Sequence, residues 1–145
     1  LNDLLLDFDG EFSSPFNVTI GGQRPRSPEA PLFLFKEGKP VMLANAYGPD
    51  EPAGVLLNIL VPRIDLEASC AGAVKAPRLL VRGKTLRMEK GLYDDELLHL
   101  KLELLGQKME KEESLGAAQI ICFEQSSGKI EGASDSRVGG EAAGF

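Results

Sequence analysis

At 145 residues, with 43% hydrophobic and 26% charged side chains, the chain is long enough for one domain with a modest core. A formal net charge of -6 argues against a nucleic-acid groove, which needs a basic surface. No apolar run approaches the roughly 20 residues that a membrane-spanning helix requires.

Leu1 is not an initiator methionine, no signal-peptide pattern follows it, and the stretch to Phe8 reads as the middle of a folded domain. The sequence is therefore expected to be a fragment. Leu1 to Phe8 suits a short buried turn or helix end, and Asp9-Gly10 and Ser13-Ser14-Pro15 punctuate it as loop. Gly21-Gly22 to Pro31, with prolines at 25, 28 and 31, has neither helical nor strand period. It is expected to be a long shaped loop of the kind that carries function.

Leu32 to Phe35 and Pro40 to Ala46 flank Lys36-Glu37-Gly38-Lys39 and predict a hairpin, with Pro40 confined to a strand start. Near-continuous apolarity predicts that its sheet is covered on both faces. Ala53 to Val61 has helical spacing, ended or kinked by Pro62, and Leu66 to Lys75 predicts a second helix. Thr85 to Glu89 is a short strand candidate. Asp94-Asp95-Glu96 opens a further helix whose apolar face is expected from Leu97, Leu98, Leu102 and Leu105, with Gly106 as its C-terminal cap. The charge-rich stretch Lys108 to Glu113 predicts a solvated edge strand. Ala117 to Glu124 and Lys129 to Ala133 predict a final hairpin about Ser126-Ser127-Gly128. Hairpin, helices, helix and hairpin in that order favour an α/β sandwich over a doubly wound parallel sheet.

Cys70 and Cys122 are the only cysteines and lack metal-ligand spacing. The burial preference of cysteine favours two core thiols, with one cross-link left open. Asn17-Val18-Thr19 is a glycosylation sequon that matters only in a secreted protein. His99, the single histidine, lies one helical turn from Asp95 and Glu103, which points to a solvated polar stripe. There is no nucleophile elbow, P-loop or dinucleotide fingerprint. On these grounds alone the chain is a compact acidic α/β domain, and an acidic interaction module is one reading of it.

The C-terminal stretch adds specificity. Gly132-Ala133-Ser134-Asp135-Ser136-Arg137, running on to Ala143-Gly144-Phe145, is too rich in glycine, alanine and paired charge for a featureless tail. It predicts a tight loop packed on a core, with Asp135 and Arg137 tying it down. This Gly-Ala-Ser-Asp-x-Arg run ending in Ala-Gly-aromatic resembles the C-terminus of γ-glutamyltransferases, also called glutathione hydrolases. Other segments follow in that family's order: Asn2 to Phe8, Arg24-Pro25-Arg26-Ser27-Pro28-Glu29-Ala30-Pro31, Ile64-Asp65 before Ala76-Pro77-Arg78, and Leu86-Arg87-Met88-Glu89-Lys90-Gly91. The resemblance covers nearly the whole chain.

What the resemblance implies is the C-terminal part of a small subunit, a single partial domain over 1–145. Its fold would be an incomplete portion of the αββα sandwich of N-terminal-nucleophile hydrolases. In that family a precursor cleaves itself and the new terminal threonine attacks a γ-glutamyl amide. Neither Thr19 nor Thr85 matches that position, so the nucleophile is expected upstream and no catalytic residue within this segment. Asp7 matches the acid that holds the substrate ammonium, and Ser27 the first of two serines on its carboxylate. Gly48 falls on the first of two oxyanion-hole glycines. Leu4, Pro28 and Pro49 depart from the family's Glu or Gln, second serine and second glycine, and Pro49 has no N–H to offer. The implied substrates are glutathione or other γ-glutamyl compounds, without metal or organic cofactor. The implied partners are the large subunit and the rest of the small subunit, and the implied location is the extracellular face of the plasma membrane, the secreted fraction or the periplasm. The departures admit a rival: a catalytically silent relative kept as a binding or structural subunit.

Overall fold

In the computed structural model, residues 8, 17–25, 30–48 and 52–144 are described. Glu37 and Gly38 both take positive φ, 52° and 76°, the conformation that a two-residue turn needs to join right-twisted strands. That turn pairs β1 (Leu32–Lys36) with β2 (Lys39–Tyr47), and Pro40 sits at the strand start beside an irregularity in register. β2 continues antiparallel onto β6 (Ala117–Phe123), and β6 onto β7 (Ile130–Ser134), giving the sheet order β1-β2-β6-β7.

One face of this sheet carries the core. Met42, Ala44 and Ala46 of β2 point inward with Ala118, Ile120 and Cys122 of β6. Against them lie Val55, Leu56 and Ile59 of α1 (Pro52–Ile64) and Ala73 and Val74 of α2 (Cys70–Lys75). The opposite face exposes Phe33, Phe35, Tyr47, Ile121 and Ile130, with Phe33 and Ile130 each 64% accessible. Among the described residues one face is covered fully, as its apolarity predicts, and the other only in part, where Ala142 lies against Gly132.

A second sheet, β3-β4-β5, is built from β3 (Leu79–Arg82), β4 (Thr85–Glu89) and β5 (Lys108–Glu112), with β4 and β5 parallel. Asn58 of α1 joins the two parts: its side chain accepts from Leu79 N at 3.0 Å and donates to Leu79 O at 2.9 Å. β5 is an edge strand, as its charge predicts. β3 and the single turn α3 (Lys90–Tyr93) are too short to carry a period and were not expected.

Several boundaries differ from the sequence reading. α1 runs through Pro62 to Ile64 and is followed by Glu67 in the left-handed region at φ 52°. α2 begins at Cys70 rather than Leu66, because Ser69 Oγ accepts from Gly72 N at 3.0 Å and caps it. In α4 (Glu96–Leu104) Asp95 caps the N-terminus, and Gly106 closes the C-terminus with Gly106 N on Glu103 O and Gln107 N on Leu102 O. Its expected apolar face is corrected: Leu97 and Leu105 are exposed, Leu98 and Leu102 only half-buried, and no α4 residue is buried. Asn17 of the sequon is buried, so its amide is hidden from a glycan.

The cysteines also depart from expectation. Both are buried, as the residue type favours, yet they form a disulfide rather than two free thiols. Packing of α2 on β6 brings their Cα atoms to 6.3 Å, within the reach of a bridge.

Three of the segments that carry the family resemblance, those of Arg78, Glu89 and Asp135–Arg137, meet at one point. Arg78, fully buried after α2, donates to Asp135 Oδ2 and Val74 O, and through Nη1 to Leu115 O and Gly116 O. Arg137 donates to both carboxylate oxygens of Glu89, to Asp135 Oδ1 at 3.0 Å, and to Val74 O and Ala76 O. Glu89 also accepts from Arg78 N at 2.9 Å and Leu115 N at 2.8 Å, and Asp135 from Ala118 N and Arg137 N, each at 3.0 Å. Two cations and two carboxylates therefore balance. The loop of Asp135 and Arg137 is tied down as its composition predicts.

Burial pushes the carboxyls of Glu89 and Asp135 up. Donors override it: Arg137 and the Leu115 amide for Glu89, the Arg137 amide and Arg78 for Asp135. Both end below the ordinary carboxylate range. Burial lowers Arg78 on balance, whereas hydrogen bonds to Glu89 and Asp135 outweigh burial at Arg137 and raise it.

A group depressed in the folded state contributes stability that is complete above its unfolded pKa and is lost as pH falls through the folded value. The melting temperature of the full-length protein should therefore drop as pH falls below about 4, the unfolded carboxylate range. Asp135→Asn should cost about 3–5 kcal/mol at neutral pH, by stranding Arg78, and flatten that acid slope. An unchanged slope in thermal melts would refute the assignment. For the disulfide, a bridge spanning a sequence separation of 52 constrains the unfolded chain by about 4 kcal/mol. Denaturant midpoints of Cys70→Ser/Cys122→Ser should fall accordingly, and the parent should follow when reduced.

Candidate functional site

Of the residues that sequence reasoning assigned to the substrate, Asp7 and Ser27 lie outside the described residues, as do Leu4, Pro28 and Pro49. Gly48 is described. It stands one residue beyond β2, half-buried, where the last ladder pair is Tyr47 with Ala117. Continued by one step, that antiparallel register sets Gly48 opposite Gly116.

The two glycines meet backbone to backbone. A Cβ on Gly48 would lie 3.1 Å from Gly116 Cα. Gly116 has φ +62°, and a Cβ there would lie 2.7 Å from Val55 Cγ2 and 3.0 Å from Tyr47 O. Space and dihedral both demand glycine at 116.

Beside this contact opens a cleft of about 330 Å³, with Tyr47, Gly48, Ser114 and Val138 among its lining residues. Arg87, also on its wall, donates through Nε to Glu112 Oε1 at 2.8 Å. His99 is remote from it: its Nδ1 lies 3.3 Å from Tyr93 O, and its ring meets Tyr93 edge-on at 5.0 Å. Among the described residues no group of His, Cys, Asp and Glu is arranged to hold a metal ion, and no helix is long and apolar enough to cross a membrane.

Sequence reasoning missed Gly116 and gave Arg78 and Glu89 no role. The signal for Gly116 was a glycine immediately before a strand, a place where an ordinary turn explains it equally well. Arg78 and Glu89 stood in the quoted segments, but their pairing with a loop 48–57 residues away is a property of the fold.

A sequence model of the family described as Gamma-glutamyltranspeptidase matches residues 1–145. The glutathione hydrolase proenzyme of Escherichia coli (strain K12) is 32% identical over 149 residues, covering 94% of this chain and 25% of that protein. The glutathione hydrolase proenzyme of Bacillus subtilis (strain 168) is 30% identical over 147 residues, covering 100% of this chain and 24% of that protein. The chain thus spans about a quarter of the length of the curated relatives it matches. A threonine-to-alanine mutant of Helicobacter pylori gamma-glutamyltranspeptidase superposes with a TM-score of 0.79 at 22% identity, covering 95% of this chain and 81% of that one. The helices and sheets described above are therefore part of the N-terminal-nucleophile hydrolase fold. Motif order, architecture and the match along its whole length agree: the chain belongs to the gamma-glutamyltranspeptidase family.

Proposed function

We propose that this chain is the C-terminal part of the small subunit of an enzyme that cleaves γ-glutamyl amides, glutathione or its analogues, through a γ-glutamyl-enzyme intermediate. The observation that carries the reading is the match of residues 1–145 to a single family. Glutathione hydrolysis is what its curated relatives are named for. In this reading a threonine upstream of Leu1 supplies the hydroxyl, and its own terminal amine is the general base. The hydroxyl oxygen adds to the γ-carbonyl, and the carbonyl oxygen gathers negative charge facing the Gly48 amide. Collapse expels the amine, which takes the proton held by the terminal ammonium, and leaves the acyl group on threonine, from which water or an amino acid takes it and restores the hydroxyl. Asp7 holds the substrate ammonium by a charge-assisted contact, and Ser27 its carboxylate. No metal or organic cofactor enters these steps.

The rest of the precursor supplies the partners, the large subunit and the remainder of the small subunit. Supporting this is the exposed apolar row of Phe33, Phe35, Tyr47, Ile121 and Ile130 on the outer face of the larger sheet, the kind of surface that marks an interaction site. The working compartment is extracellular or periplasmic. The Cys70–Cys122 disulfide supports it, since such bridges persist where the surroundings are oxidising.

A second reading, the silent relative, draws on Pro28 and Pro49 at positions where the family offers a hydroxyl and an amide. One assay separates the two. The full-length protein should release aniline from a chromogenic γ-glutamyl anilide, and N-terminal sequencing of its small chain should begin at threonine. No turnover and no such terminus would establish the silent relative. In the active protein, Asp7→Asn should raise KM by roughly 10–150-fold, the value of a hydrogen bond to a charged group, with little change in melting temperature. A large fall in melting temperature at unchanged KM would make Asp7 structural. Pro49→Gly should raise kcat, by up to roughly 10²–10³ if the restored amide reaches the oxyanion. A folded, processed and substrate-bound Pro49→Gly protein no faster than its parent would remove Pro49 as the limit on the site.

A further inference from the structure

The end of a β-ladder needs only its own hydrogen bonds, yet the strand end facing Gly48 is held by buried charge. Arg78 Nη1 donates to Leu115 O at 3.2 Å and to Gly116 O at 3.0 Å, and Leu115 N donates to Glu89 Oε1 at 2.8 Å. Arg78 is 0% exposed and Glu89 5%. The Leu115–Gly116 segment is thus pinned on both its donor and its acceptor sides, immediately before β6. Gly116 then abuts Gly48 with no side chain between them, while Val55 Cγ2 and Tyr47 O close off the space on its other side.

We infer that Gly116 is a positioning residue. It fixes where the Gly48 backbone stands and passes to it the rigidity of the Arg78–Glu89 anchor. The inference rests on the reading of Gly48 as an oxyanion donor. An amide that serves a developing charge is useful only when held in place beforehand, and a shift of about 1 Å at such a point costs about 10²-fold in rate. A side chain at 116 cannot be placed without moving Val55, Tyr47 or Gly48. Because the oxyanion develops only after binding, in the tetrahedral intermediate and the transition states beside it, displacing Gly48 acts on kcat and spares ground-state binding.

The test compares the full-length parent with Gly116→Ala on a chromogenic γ-glutamyl anilide, well below both melting temperatures, with rates expressed per processed chain. The expected result is a fall in kcat of about 10–10²-fold with KM changed less than about twofold. Should Gly116→Ala fail to accumulate as folded protein, Gly116→Ala/Val55→Ala removes the methyl that blocks the new Cβ. It should fold and show the same split, since the strained φ at 116 remains. A folded variant with the parent's kcat, or one altered in KM alone, overturns the positioning role while leaving the reading of the enzyme intact. A parent that turns over no γ-glutamyl anilide overturns the reading itself, and the role of Gly116 with it.

Discussion

Three buried charges, with half-buried Arg137, govern this structure. Arg78, Glu89 and the Asp135–Arg137 loop come from three separated segments, and their opposite charges pair while also gripping backbone groups. A lone buried ion of this kind would be costly. Removing one partner leaves the rest as uncompensated charges in a medium that solvates them poorly. The arrangement is therefore cooperative, and it explains why one short C-terminal run can be tied to α2, β4 and β6 at once.

The same cluster connects architecture to chemistry. α2 offers the carbonyl of Val74 to both arginines, and the disulfide fixes α2 on β6. The far side of the cluster grips the peptide before β6, which lies on Gly48. Core, covalent bridge and candidate oxyanion donor are thus a continuous run of contacts. Helix α4, by contrast, has no buried residue and takes no part in it.

Much of the fold was legible in the sequence because local chemistry dictated it. Glu37-Gly38 between apolar runs, the glycine after α4, and the charged residues of β5 each have one good structural solution. What could not be read depended on distance. Leu97 and Leu105 look like a core stripe, but the described residues place nothing against them. Cys70 and Cys122 look like separate buried thiols until α2 lies across β6. Asp135 and Arg137 could be read as anchors from their own loop, whereas their partners Arg78 and Glu89 could not be read from any spacing. At the candidate site the resemblance supplied Gly48, and only the three-dimensional register supplied Gly116.

The disulfide closes the chain between Cys70 and Cys122, and the whole β3-β4-β5 sheet with α3 and α4 lies inside that closed stretch. The smaller sheet is thus an excursion whose two roots are welded together at the floor of the larger one. A protease that cut the exposed turn after α4 would leave both halves covalently joined, and they would part only under a reductant. For the same reason the excursion is free to gain or lose residues at its outer turns, since its length never enters the geometry at its base. Sequence drift should accumulate there first, in the leucine-rich helix that buries no residue among those described.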